Sequence, residues 1–463
     1  MWITRRPLLA VLLVALVVRL ALLWGSNTVG LQIDDERHYH QLATNLADGN
    51  GFGWAPGKLT SMRPPLYPAF IAATWAVTGS RSLVAVRSAQ IAIGLGSIAL
   101  LFGIVRRVFD RRTAIVAAVI FGLYPSLLFS GVLILSETLF IGLLLLAIRG
   151  CLALFDGGNR WLALGTGVVL GLSALTRSIL WPFPAVLVPF LWFASRGSAR
   201  QKAAVCGLVL AGYSMALGPW AIRNTRLQHT PVLVDTMGGI NLLTGNYAFT
   251  PEDRMWDGVR LTGAALWSAP LTTRPEAAKW TDGQKDRWAR TAAVEFMTAH
   301  PLLTLKRSIL KLADLWGLER EWVAGIQQRL YQPPKWFAIL SMTLVLCSYP
   351  AALLLGVLGF FWVRPADPRA HWFFLLVIAF TSLLHAVTFG HSRYHLPLVP
   401  LVALYASAAL VNRDVVRHHM RTGSRTLAPL LVAAACLAVW VHEVAFRDAD
   451  RLVTLLAMLR QAL

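Results

Sequence analysis

Three acids stand side by side at Asp34-Asp35-Glu36, and Arg63 follows them on the same stretch between two apolar segments. A carboxylate can take a proton from a hydroxyl as general base, orient its neighbour, or hold a divalent ion. A guanidinium can bind two phosphate oxygens at once. Further along, Glu137, Arg177, Arg223 and Arg393 each stand at the edge of an apolar run, where a charge is costly unless it is paired or wet. Together these residue types suit acid–base chemistry beside an anion. A plainer reading stands next to each of them. The acids, and Glu137 likewise, would cap helices and favour their dipoles, and the arginines would reach out to lipid headgroups. His385, His391 and His395 lack the spacing of a metal site.

The elements that must position these residues follow from composition. Of 463 residues, 56% are hydrophobic and only 14% charged, with a mean hydropathy of +0.57, whereas about a quarter of the residues of a soluble domain are charged. Runs such as Leu8–Trp24, Ala114–Leu135 and Leu427–Phe446 carry almost no ionisable group and are long enough to cross a hydrocarbon core of about 30 Å. The chain is read as an integral membrane protein. Its net charge of +20 would suggest a nucleic-acid partner in a soluble protein, but here it reflects the basic residues that cytoplasmic loops accumulate. The four cysteines, Cys151, Cys206, Cys347 and Cys436, lie in apolar runs without paired spacing and read as small core hydrophobes. Arg5-Arg6 and the apolar stretch after them form a retained first membrane helix, since that stretch is too long for a signal peptide and lacks an Ala-x-Ala site.

Apolar periodicity predicts an all-α polytopic protein with about eleven transmembrane helices, near 7–25, 83–105, 113–134, 136–155, 161–177, 179–195, 203–221, 336–362, 371–390, 395–411 and 427–446. Leu66–Gly79 is too short for a span and is expected as a re-entrant or interfacial helix. With the N-terminus inside, the short inner loops collect sixteen basic residues, from Arg5 and Arg6 to Arg106, Arg107, Arg111, Arg112 and Arg413, Arg417, Arg421, Arg425, as the positive-inside rule requires. The chain divides into an N-terminal membrane module, 1–221, with its first outer loop at 26–82. An outer segment, 222–335, a C-terminal membrane module, 336–446, and a short outer tail, 447–463, follow. Within the outer segment, Trp288, Ala292, Phe296, Leu303, Ile309, Leu312 and Leu315 recur at helical spacing, broken at His300-Pro301. A basic amphipathic helix pair on the membrane surface and a small soluble cap are equally good readings. No repeat points to a transporter.

Several of these residues fall into an ordered set: Asp35-Glu36-x-x-Tyr39 after the first span, Arg63-Pro64-Pro65-Leu66-Tyr67-Pro68, and Ser136-Glu137 at the start of the fourth. Pro219-Trp220-x-x-Arg223-Asn224 after the seventh span, Gly238-Gly239, Gly245-Asn246, the His300-Pro301 break and Arg393-Tyr394-x-x-Pro397-x-x-Pro400 complete it. The set, from about residue 7 to 412, resembles the GT-C membrane glycosyltransferases. The branch is that of the dolichyl-phosphate-mannose protein mannosyltransferases and lipid A aminoarabinose transferases.

That resemblance implies a GT-C fold and a transferase that moves a sugar from a polyprenyl-phosphate donor to a glycan, lipid or protein acceptor. The transfer would take place at the outer face of a bacterial inner membrane, by inverting displacement. It implies Asp35 as base, Glu36 as supporting carboxylate, and Arg63, Arg223 and Arg393 as ligands of the donor phosphate. Asp34, Tyr39, Glu137, Arg177 and Tyr394 are further candidates. Met62 stands where aminoarabinose transferases have an acid, a departure that bears on any shared metal or amino-sugar role. A divalent cation is an open possibility, and no other cofactor and no nucleic acid is implied. Two rivals belong to other classes. A lipid-linked glycan flippase would want charges near mid-membrane, of which only Arg19, Arg87 and Arg149 are candidates. A polysaccharide polymerase or ligase often carries Arg-x(10)-Gly in its outer loop, and no arginine from Arg223 to Arg329 has a glycine eleven positions on.

Overall fold

The computed structural model describes residues 6–27, 29–157, 159–423, 427–447, 449 and 453. The expected tail, 447–463, therefore lies almost wholly outside the described residues, as do Arg5 and Arg425.

The first half runs α1 (Arg6–Gly25), α2 (Asp34–Ala47), β1 (Gly53–Ala55), β2 (Lys58–Leu59), α3 (Leu66–Thr78), α4 (Leu83–Val108), α5 (Arg111–Gly122), α6 (Pro125–Ser130), α7 (Glu137–Leu154), α8 (Arg160–Thr176), α9 (Pro184–Ala194) and α10 (Ala199–Gln228). The second half runs α11 (Gly238–Thr244), α12 (Asp282–Ala299), α13 (Pro301–Leu315), α14 (Glu321–Gln327), α15 (Lys335–Trp362), α16 (Pro368–Val387), a 3-10 turn at Ser392–Leu398, α17 (Val399–Val411), α18 (Arg413–Thr422) and α19 (Leu427–His442). The two-residue-scale hairpin β1–β2, antiparallel, is the sheet found among the described residues. Each of the eleven expected spans has a helix in place. By length and hydropathy, eight segments of the described chain can cross a membrane: α1, α4, α7, α10, α15, α16, Ser392–Val411 and Leu427–Arg447. The protein is thus an integral, multi-pass membrane protein.

Length alone does not supply the other three spans, and the reasons are local. The run 113–134 breaks between α5 and α6, where Pro125 lacks the N–H that a continuous helix would use. The run 179–195 opens with a 3-10 turn at Ser178–Leu180, and Pro182 and Pro184 delay the helix, leaving α9 at eleven residues, about 16 Å of rise. Helix α8 has seventeen residues, about 25 Å. Helix α3, thirteen residues, is likewise too short to span, as expected for an interfacial element.

The first outer loop is built on a small core. Tyr39 and Ala43 of α2, Tyr67, Ile71 and Trp75 of α3, Val86 of α4 and Ile134-Leu135 bury against one another. Spacing of i, i+4, i+8 puts Tyr67, Ile71 and Trp75 on one face of α3, and burying a side chain of this size contributes about 1.5–3 kcal/mol. The turn from α2 to β1 needs positive φ at Gly49 and Gly51, 76° and 79°, a conformation cheap only for glycine. In the larger outer segment, α12 and α13 meet at His300-Pro301, where the proline opens the second helix. Asp286 of α12 accepts the backbone N–H groups of Gly239 and Ile240 at 2.6 and 3.1 Å, filling the free donors at the start of α11.

Candidate functional site

Helix α2 begins with the three acids, and its turn sends them in three directions. The Asp34 side chain is 84% exposed and pairs with Arg37. Glu36 is fully buried and accepts backbone N–H groups from Gln32 (2.8 Å), Ile33 (3.2 Å) and Ile134 (2.8 Å). It closes the N-terminus of α2 and ties it to the segment before α7. Its carboxylate serves backbone amides, so the sequence assignment of Glu36 as a partner in acid–base work has no geometric counterpart. Asp35, between them, faces the basic residues.

Two arginines converge on Asp35. Arg63 Nη2 donates to Oδ1 at 2.8 Å and Arg393 Nη1 to Oδ2 at 3.2 Å. Arg63 precedes Pro64 and Pro65, which restrict its own backbone to extended conformations and open α3. Arg393 sits in the 3-10 turn, where Pro397 and Pro400 prevent an ordinary helical ladder. Its Nε donates to Glu137 Oε1 at 2.6 Å, and Arg177 Nη1 donates to the same oxygen at 2.9 Å. Glu137 is the first residue of α7 and is 1% exposed; Arg177 is the residue just past α8.

The result is an alternating chain, Arg63–Asp35–Arg393–Glu137–Arg177. Three guanidiniums against two carboxylates leave one net positive charge. Two of its polar atoms, Arg63 Nε and Glu137 Oε2, are buried with no hydrogen-bond partner among the described residues. Buried polar atoms are nearly always satisfied, and the orphans, one at the Arg63 end and one on Glu137 next to the Arg177 end, leave hydrogen-bonding capacity free beside the open side. The chain keeps one side open, since the Asp35 carboxylate is 28% exposed.

Electrostatics follow the geometry. Burial alone would raise the Asp35 pKa, but Arg393 and Arg63 outweigh it and hold the carboxyl below its ordinary range. Burial and then Arg63 push His38 below its usual value. A neutral His38 can accept the 3.0 Å hydrogen bond from Arg63 Nη2 through Nδ1. Its ring packs against Trp54, centroids 5.0 Å apart. Burial raises Asp235 to about 6; this acid accepts the Met237 N–H at 3.1 Å and lies near enough to feel the Arg63 charge.

The aromatic candidates form the walls. Tyr39 lies under the Arg63 guanidinium at 5.9 Å and packs edge-on against Tyr67 at 4.9 Å. Tyr394 stacks on His385 at 4.7 Å and faces Arg177 at 5.9 Å. Arg223 is not part of the cluster. Its guanidinium donates to the carbonyls of Thr60 (2.6 Å) and Phe52 (3.0 Å) and to Asn224 Oδ1 (2.9 Å), and it lies over Trp220 at 4.6 Å. With its donors spent on backbone, Arg223 braces the loop that carries Arg63 instead of contributing to the anion site read from sequence.

Sequence reasoning missed the rest of that brace. Ser61 Oγ donates to Asn224 Oδ1 at 2.9 Å and accepts from Gln228 Nε2 at 3.1 Å, all three residues being buried. Arg87, 1% exposed, donates to the carbonyls of Val132, Ser26 and Val29 at 2.7, 3.0 and 2.7 Å, joining the two loops that flank the site. A charge inside an apolar run was the signal for Arg87; polar residues such as Ser61 and Gln228 give none. Among the described residues no three His, Cys, Asp or Glu side chains come together to hold a metal ion, and both site carboxylates are already engaged by arginines.

Residues 62–220, about a third of the chain, match the dolichyl-phosphate-mannose-protein mannosyltransferase family. No curated protein matches the sequence significantly. Among solved structures, the oligosaccharyltransferase AglB from Archaeoglobus fulgidus, in complex with an inhibitory peptide and a dolichol-phosphate, aligns over 95% of this chain and 55% of its own, at 15% identity and a TM-score of 0.52. The oligosaccharyltransferase of the same organism in complex with Zn and sulfate aligns over 93% and 53%, at 15% identity and a TM-score of 0.52. ArnT from Cupriavidus metallidurans bound to undecaprenyl phosphate aligns over 88% and 78%, at 13% identity and a TM-score of 0.39. The fold is that of the GT-C membrane glycosyltransferases, the group that the sequence motifs resemble. The chain spans about half the length of the oligosaccharyltransferases it aligns with.

Proposed function

We propose that the protein is a glycosyltransferase that takes a sugar from a polyprenyl-phosphate carrier and joins it to an envelope acceptor. The observation that carries this reading is the Arg63–Asp35–Arg393–Glu137–Arg177 chain, with its net positive charge, its open side and its orphaned buried atoms. The family match over 62–220 supports it, as does the fold shared with AglB, which was solved with a dolichol-phosphate.

In this reading the donor phosphate docks against Arg63 and Arg393. Asp35 takes the proton of the acceptor hydroxyl while the acceptor oxygen attacks the anomeric carbon from the face opposite the phosphate. The carbon–oxygen bond to phosphate breaks, its electron pair leaves on the phosphate, and configuration inverts. Arg63 and Arg393 stabilise the charge that grows on the leaving phosphate, and Glu137 holds Arg393 and Arg177 in place. Free Asp35, with its depressed pKa, is a weak base. As the phosphate draws both guanidiniums toward itself, the carboxylate is less tightly held and becomes a stronger one. The distribution of basic loops supports an outer reaction face, and the family resemblance supports a bacterial inner membrane.

Transfer from a panel of radiolabelled polyprenyl-phosphate sugars to total envelope acceptors, with purified protein in liposomes, tests the assignment. Asp35→Asn is expected to lower transfer about a hundredfold or more and to retain carrier binding. Full transfer by Asp35→Asn would remove the base role. Label that crosses the bilayer without leaving its carrier, with either protein, would make the chain a flippase.

A further inference from the structure

Toward the other end of α7 lies a groove of about 1160 Å³ between α4, α7 and α8. Glu137 opens α7 in the ion-pair chain, and Arg149, twelve residues on, lines the cavity, about 18 Å away along the helix. The two sites thus lie toward opposite ends of α7. We propose that this groove is a binding site for an anionic glycerophospholipid of the leaflet opposite the ion-pair chain, with the lipid phosphate on Arg106 and Arg149 and an acyl chain along the helices.

Three observations carry the proposal. The first is shape. A Cβ added at Gly96 of α4 or Gly165 of α8 would meet nothing within 4 Å, so these glycines do not serve helix contact. They contrast with Gly167 and Gly212, where an added Cβ would come within 2.0 Å of the opposing backbone. The second is charge. The groove holds Arg106, Arg107 and Arg149 and no acid. Arg107 is satisfied by Asp156 at 2.7 Å and the Leu152 carbonyl at 2.8 Å. Among the described residues, no hydrogen bond or ion pair reaches Arg106 or Arg149. Arg149 sits more than a turn inside α7, with its guanidinium laid against the bare backbone of Gly103. From five residues before the end of α7 the exposed Arg149 side chain can extend to headgroup level, where a lipid phosphate supplies a counter-charge. The third is the mouth of the groove, where Trp161 is 69% exposed, as suits a ring at the membrane interface.

The proposal is independent of the transferase reading. Native mass spectrometry of the delipidated, full-length protein, titrated with phosphatidylglycerol and with phosphatidylcholine, tests it. The wild type is expected to retain phosphatidylglycerol preferentially, and Arg106→Ala with Arg149→Ala to lose that retention about thirtyfold, given the usual worth of two basic groups at an anionic lipid surface. Gly96→Leu with Gly165→Leu, which fills the groove and leaves its charges, is expected to weaken binding of both lipids, with unchanged thermal melting. Wild-type retention by the arginine pair variant would overturn the proposal. So would loss of undecaprenyl phosphate binding in that variant with phosphatidylglycerol retention intact, which would assign the groove to the carrier lipid.

Discussion

Asp35 is held between two guanidiniums, and its titration should report them. Its folded pKa is depressed, so the stability it contributes is fully present above the ordinary carboxylate value of about 4 and is lost as pH falls through the folded value. The same logic splits the kinetics. The acid limb of kcat/KM, which reports the free protein, should fall below the usual carboxylate range. The limb of kcat, which reports the loaded protein, should lie at higher pH, because a donor phosphate docked as proposed would compete for Arg63 and Arg393. Coincident limbs in initial-rate measurements would argue against that competition. Asp235 has the opposite sign. Burial raises it to about 6, so the folded state binds the extra proton, and stability declines as pH rises from about 4 to 6. Asp235→Asn should lessen that decline and, at neutral pH, give a melting temperature at least as high as that of the wild type.

The helix pair α8–α10 illustrates how elements fix the site. Gly167 and Gly212 bring the two backbones together, since an added Cβ would lie 2.0 Å from the carbonyl oxygens of Val209 and Leu164 respectively. Small residues of this kind let membrane helices approach closely where no hydrophobic effect drives them together. Helix α10 then carries Asn224 and Arg223 to the loop behind Arg63, and α8 ends at Arg177. Gly212→Leu should push the pair apart and destabilise the protein by about 1–3 kcal/mol, measured by unfolding in detergent. Gly207→Ala, on the same helix with nothing within 4 Å of the added Cβ, should be neutral or slightly stabilising, because alanine is the better helix former.

Across the whole molecule, the ion-pair chain links four places far apart in sequence: the first outer loop, the start of α7, the end of α8 and the turn before α17. Glu137 is the hinge of that arrangement, holding two arginines with one oxygen. Glu137→Gln should leave Arg177 and Arg393 poorly neutralised and cost about 3–5 kcal/mol, as when one partner of a buried pair is removed. A polyprenyl phosphate that binds there should recover part of the loss through binding linkage. Thermal melting with and without the carrier checks this, and a carrier-independent loss would separate Glu137 from the anion site.

What the sequence determined by itself was what short-range patterning encodes. Apolar run length specified a polytopic helical protein, the His300-Pro301 break located the junction of α12 and α13, and the ordered motifs pointed to the GT-C fold. Within the site, Asp35, Arg63, Glu137, Arg177 and Arg393 were legible because charges at the edges of apolar runs stand out against their surroundings. Direction was not legible. Asp34, Asp35 and Glu36 are adjacent and alike, and only the packing of α2 on α3 and on the segment before α7 sends one to solvent, one to the arginines and one to backbone amides. Arg223 looks the same as Arg393 in the sequence. The tertiary structure separates them, because one guanidinium lies against backbone carbonyls and the other lies against two carboxylates. Helix lengths depended on a local effect that run length does not show, since proline chemistry shortens α5 and α9 within apolar runs. Periodicity measures how much apolar surface a segment must bury, and only the folded chain decides which partner each polar group finds.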